Sequence, residues 1–165
     1  MLSRKFMQKL GDKIVKSYKK HIFDKAKDVK GKTFKQYSTN PTKWASILAR
    51  KTERKKIPKG GISYGKAKKM GILTRANPKS REGTAPILSG DFEGDFQTLK
   101  VARNRLSVGW AAHGSKVGYL KDMGRLVTTS TQPLPKHILK MIDKALKKET
   151  EGQLPKENVK ITLRK

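Results

Sequence analysis

Three histidines, His21, His113 and His137, are the side chains best suited to proton or metal chemistry near neutral pH. They lie far apart in the chain, and none sits in a recognisable metal-ligand or HNH spacing. One pairing would have to be supplied by the fold: His113 with Asp122, an acid–base arrangement that requires hydrogen-bond reach. Without it, each histidine reads as a surface or loop residue. The chain has no Cys, which removes disulfides, thiolate metal ligands and cysteine nucleophiles and weakly favours a reducing compartment. Lys59-Gly60-Gly61 looks superficially like a phosphate loop, but it lacks both the GxxxxGK[ST] spacing and a preceding strand. A small basic nuclease is therefore disfavoured. The expectation is a protein that is not an enzyme, with no catalytic residue, cofactor or metal ligand.

What remains is charge. The 165 residues hold 40 Lys and Arg against 13 Asp and Glu, a formal net charge of +27. Segment 25–86 alone carries 18 Lys and Arg against 3 acids. Such a chain repels itself and attracts polyanions, nucleic acid foremost, with strongly salt-dependent binding. The candidate DNA-facing residues are Lys43, Arg50, Lys51, Arg54, Lys55, Lys56, Lys66, Lys68 and Lys69, joined by the lysine face of an N-terminal helix. Trp44 beside the basic run suits either stacking on a base or anchoring the segment to a protein surface, and the anchor is favoured. Phe34, Tyr37, Trp44, Ile161 and Leu163 are the candidate inter-subunit anchors.

These residues need elements to position them. Leu2, Phe6, Leu10, Ile14, Tyr18 and Ile22 recur every four residues, which predicts a helix over 2–22 with Lys5, Lys9, Lys13, Lys16, Lys19 and Lys20 opposite. Membrane-surface helices share this look, but covering a sheet is the favoured role. Gly11 counts as a blemish of about 1 kcal/mol against Ala. Stretch 88–124 is the organising centre. Alternation over 96–101 and again over 106–110 predicts a β-hairpin, with Asn104-Arg105 as its polar break. A further strand is expected over 125–129. Pro135 suits the first turn of a helix over 136–148, whose lysines Lys144, Lys147 and Lys148 complement its dipole. Val159, Ile161 and Leu163 alternate in the tail, as an edge strand or one added to a neighbouring subunit's sheet. The organisation expected is a single α+β domain over 1–150, with an inserted basic arm at 25–86, its stretch 57–86 flexible or ordered by partners, and a tail at 151–165. No run approaches the roughly 20 apolar residues of a membrane span, and Lys5, Lys9 and Lys13 interrupt any signal-peptide core.

Three stretches carry a resemblance. Gly31-Lys32-Thr33-Phe34-Lys35-Gln36-Tyr37-Ser38 looks like a "GkpFkpYS" segment, Ile87-Leu88-Ser89-Gly90-Asp91-Phe92 like an "iLsGdl" step, and Pro133-Leu134-Pro135-Lys136-His137-Ile138-Leu139 like a "PaRpFlg" helix entry. In this order the chain resembles the virion-morphogenesis, or tail-completion, proteins of tailed bacteriophages, across about residues 1–150. Lys136-His137 departs from the usual Arg and aromatic, and Leu120 replaces a small residue in the loosely matching 117–124 segment.

The resemblance implies an α+β fold, a small curved antiparallel sheet with N- and C-terminal helices packed on it, plus the long basic irregular arm. It implies a non-catalytic homo-oligomeric ring at the head–tail junction (a tail-completion, terminator or neck protein). Hexamer is favoured and dodecamer is the other count. Its partners would be the portal or connector, the tail tube and, non-specifically, phage DNA, with no membrane involved. The expected place is the virion neck, reached by assembly in the host cytoplasm. The competing expectation is a cellular basic nucleic-acid-binding protein of ribosomal or nucleoid type.

Overall fold

The computed structural model describes residues 2–35, 41–42, 57–63, 66–67, 70, 91–151 and 160–164. The fold is α+β, built on a β-hairpin with the terminal helices gathered around it. Helix α1, Arg4–Lys19, starts where the Ser3 side chain accepts a hydrogen bond from the Phe6 backbone N–H at 3.1 Å. Its apolar stripe buries Met7, Leu10, Ile14 and Tyr18. The helix runs into a π-helical turn, Lys20–Asp24, which delivers Ile22 and Phe23 to the same core. The chain then reverses through Ala26, buried with φ at 50°, and Gly31 at φ 90°. A return bridge between Lys27 and Thr33 brings Phe34 back to the core. Residues 25–35 thus belong to the packed body and not to the arm.

The hairpin joins β3, Phe96–Ala102, to β4, Arg105–Trp110, in antiparallel register from Phe96↔Trp110 to Ala102↔Arg105. The reversal falls on Arg103 and Asn104, one residue earlier than expected, and the register slips between Thr98 and Lys100. Two short strands from the arm, β1 (Pro41–Thr42) and β2 (Ile62–Ser63), pair antiparallel in a separate sheet. One turn of helix, α2 (Asp91–Gly94), leads into β3. Helix α3 (Lys116–Asp122) follows β4, and α4 (Lys136–Thr150) is the long C-terminal helix. Strand β5, Lys160–Arg164, pairs parallel with β4, with Leu106 opposite Ile161 and Val108 opposite Leu163. The hairpin supplies the antiparallel sheet expected, and β5 adds a parallel strand to it. The crossover through α3 and α4 returns the chain in the direction of β4, and such a return makes a parallel pair.

β4 lies between β3 and β5, and its burial does not alternate along Leu106–Trp110. Ser107, which alternates with Leu106 and Val108 in the sequence, is 1% exposed. Five aromatic rings fill the middle of the core. Tyr18 stacks on Phe96 with centroids 4.0 Å apart and meets Phe23 and Trp110 edge-on. Phe92 stacks on Trp110 at 5.0 Å, and the indole N–H donates to the Phe92 carbonyl.

Residues 125–129 form no strand. Their polar backbone is satisfied elsewhere. Tyr18 Oη donates to the Val127 carbonyl at 2.6 Å, and the Val29 N–H donates to the Leu126 carbonyl. The Arg125 guanidinium donates to the Lys35 carbonyl and lies 5.8 Å over the Phe34 ring. The segment is a strap over the 26–35 reversal.

Candidate polyanion-contacting surface

Of the basic candidates in the arm, Lys66 is described and is exposed. Lys43, Arg50, Lys51, Arg54, Lys55, Lys56, Lys68 and Lys69 lie outside the described residues, as do Tyr37 and Trp44. Phe34 is corrected as an inter-subunit anchor, because it is 4% exposed within this chain's own core. Ile161 and Leu163 sit on β5, whose backbone pairs with β4 of the same chain.

Helix α1 presents Lys5, Lys9, Lys13 and Lys16 to solvent, because its 3.6-residue period turns them away from Met7, Leu10 and Ile14, and the π-helical turn adds the exposed Lys20. Helix α4 buries Ile138 and Ile142 and exposes Lys136, Lys140, Lys144, Lys147 and Lys148. Neither helix has an acidic residue in its first turn. The two helices touch. Ser17 Oγ lies 3.9 Å from Met141 Sδ, and the His21 and His137 rings are 4.8 Å apart. Residue numbers rise on one side of these contacts as they fall on the other, so the helices run antiparallel. The spacing of the α4 lysines is plain in the sequence, but nothing there places them beside those of α1.

The histidine pair is a product of the fold alone. His21 Nε2–H donates to the Asp28 carbonyl at 2.9 Å, which fixes its tautomer. Burial, then the neighbouring His21 and Lys25, hold His137 below the usual imidazole range. His113 does not meet Asp122. It sits by Asp95, its Nδ1 3.4 Å from a carboxylate oxygen. Burial alone would raise the Asp95 pKa, but hydrogen bonds from the backbone N–H groups of His113 and Ala112 outweigh it and hold the carboxyl low. Asp95 thereby pins the 112–113 turn.

A cleft of about 630 Å³ runs between α1 and β3, lined among others by Asp12, Val15, Lys16, Lys19 and Phe96. Its mixed signs suit no single class of ion. Among the described residues no group of three or more His, Asp or Glu is placed to hold a metal, and no helix is long and apolar enough to cross a membrane. Comparisons with protein-family models, with curated proteins and with solved structures returned no match.

Proposed function

We propose that this chain is a structural protein of a tailed-phage virion, a ring-forming component of the head–tail junction that joins connector to tail tube around the DNA channel. The observation that carries the reading is the order of parts. After a lysine-faced helix, the Gly31–Phe34 reversal, the step into the hairpin at Asp91-Phe92 and the Pro-led entry into α4 follow in the order of the three quoted stretches. The chain has the α+β class that the resemblance implies, with α1 packed on the hairpin and α4 packed on α1. The lysine faces of both helices suit a protein that lies along DNA without reading bases, since phosphate contact needs only charge.

The test is the mass of the purified chain by light scattering, alone and with connector or tail tube, together with duplex binding across a salt series. The reading expects a closed oligomer and binding that is indifferent to sequence. A chain that stays monomeric under every condition, yet prefers one nucleic-acid sequence at high salt, would instead be the cellular nucleic-acid-binding protein.

A further inference from the structure

The contact between α1 and α4 does more than close the core. Two ridges meet there. On α1 the ridge is Lys5, Lys9, Lys13, Ser17 and His21, each one helical turn from the next. On α4 it is His137, Met141, Lys144 and Lys148. His21 meets His137 and Ser17 meets Met141. Along the helix axes the antiparallel direction puts Lys13 about level with Lys144 and Lys9 about level with Lys148, while each four-residue step also turns the α1 row about 40° toward solvent. All of these lysines, Lys5 included, are exposed.

Lysines one turn apart are separated by about 5–6 Å of rise, and packed helices lie about 8–10 Å apart. Five cations therefore share a patch on the order of 15 Å across, where each lies near a Debye length of its neighbours at physiological salt. Two acids stand within one turn of these lysines, Asp12 from Lys9 and Glu151 from Lys148, which leaves the five cations in excess. Asp12 accepts a hydrogen bond from Gln8 and lines the cleft toward β3. Asp143, two residues from Met141, lies on the flank away from α1. Glu149 and Glu151 lie at the last turn of α4.

We infer that this two-helix patch, Lys5, Lys9 and Lys13 of α1 with Lys144 and Lys148 of α4, is a docking surface for the phosphate backbone of duplex DNA. The inference rests on the neck reading only for the source of the duplex. Two features favour a duplex backbone over other polyanions. Neither helix offers an exposed Phe, Tyr or Trp ring for stacking unpaired bases, since Phe6 packs onto the core and Tyr18 is buried within it, and the His137 ring lies against His21. A lipid surface would call for a free apolar face on the same helix, and the apolar stripe of α1 is already committed to the hairpin.

The experiment compares two quadruple variants of the full chain. One carries Lys9→Gln, Lys13→Gln, Lys144→Gln and Lys148→Gln. The charge-matched control carries Lys30→Gln, Lys32→Gln, Lys116→Gln and Lys121→Gln, at exposed positions elsewhere. Binding of a fluorescent duplex is followed between about 50 and 200 mM salt, with far-UV circular dichroism as the check on folding. The patch variant is expected to lose about 3 to 4 from the slope of log affinity against log salt, at about 0.9 per phosphate contact, and the control close to none. Equal losses in the two variants would overturn the patch. So would a patch variant that binds duplex normally but no longer binds vesicles containing phosphatidylserine, which would make the surface a lipid one. Light scattering separates the two levels. A wild-type ring whose duplex binding ignores the patch refutes this surface and leaves the neck reading intact, whereas patch-dependent binding by a permanent monomer refutes the neck reading and leaves the surface.

Discussion

Gly11 shows how a single residue can be misjudged without its surroundings. In a helix it costs about 1 kcal/mol against Ala, so it reads as a flaw. In the fold, a Cβ at this position would lie 2.8 Å from Thr98 Oγ1 and 3.1 Å from Leu106 Cδ1. The glycine lets α1 settle onto the hairpin. Gly11→Ala is therefore expected to destabilise the protein, by about 1–3 kcal/mol of overpacking against the helical gain, as read by urea unfolding. Adding Thr98→Ala should recover part of the loss, and a Gly11→Ala variant more stable than the parent would refute the close approach. Tyr18 makes a second prediction at this scale. Tyr18→Phe leaves the buried Val127 carbonyl without its 2.6 Å donor, at a cost of about 1–3 kcal/mol. An unchanged urea midpoint would count against the strap over 26–35.

Among the elements, those with a clear internal period were legible in the sequence. The stripe of α1, the two arms of the hairpin and the Pro135 entry into α4 each declare themselves within a few turns or alternations. Residues 125–129 did not, because Val127, Thr128 and Thr129 have strand character while the groups that claim their backbone, Tyr18 and the 26–35 reversal, lie far back in the chain. Likewise the direction of β5 depends on the crossover and not on its own alternation. The junction of the π-helical turn with α4 was equally hidden, since nothing in either segment announces that His21 and His137 will meet.

That junction gives a pH dependence. His137 is held below its ordinary value by burial, His21 and Lys25, so between its folded and unfolded pKa values the unfolded chain binds more protons. Its contribution to stability is present above the ordinary imidazole value and is lost as pH falls through the lowered one. The thermal midpoint should drop on acidification from about pH 7.5 to 5, across the usual histidine range, and His137→Gln should flatten that drop. An identical pH profile in the variant would remove the histidine contact from the account.

At the scale of the whole molecule the dominant quantity is the net charge of +27. Composition suits a partner of opposite sign, and the helical period sets out each row of lysines separately. Only the fold brings the two helices together, because the α1–α4 contact joins segments from opposite ends of the chain. A body so charged gains from an anion that lies across it. Added duplex should therefore raise the thermal midpoint of the parent chain more than that of the four-lysine patch variant, by the linkage between binding and folding, and equal shifts would argue for diffuse attraction without a preferred face. The central claim, a ring at the head–tail junction, is tested most directly by cryo-electron microscopy of the purified protein with connector or tail tube present. The account predicts closed rings with a lumen wide enough for duplex DNA. Single protomers with no ring under any of these conditions would contradict it.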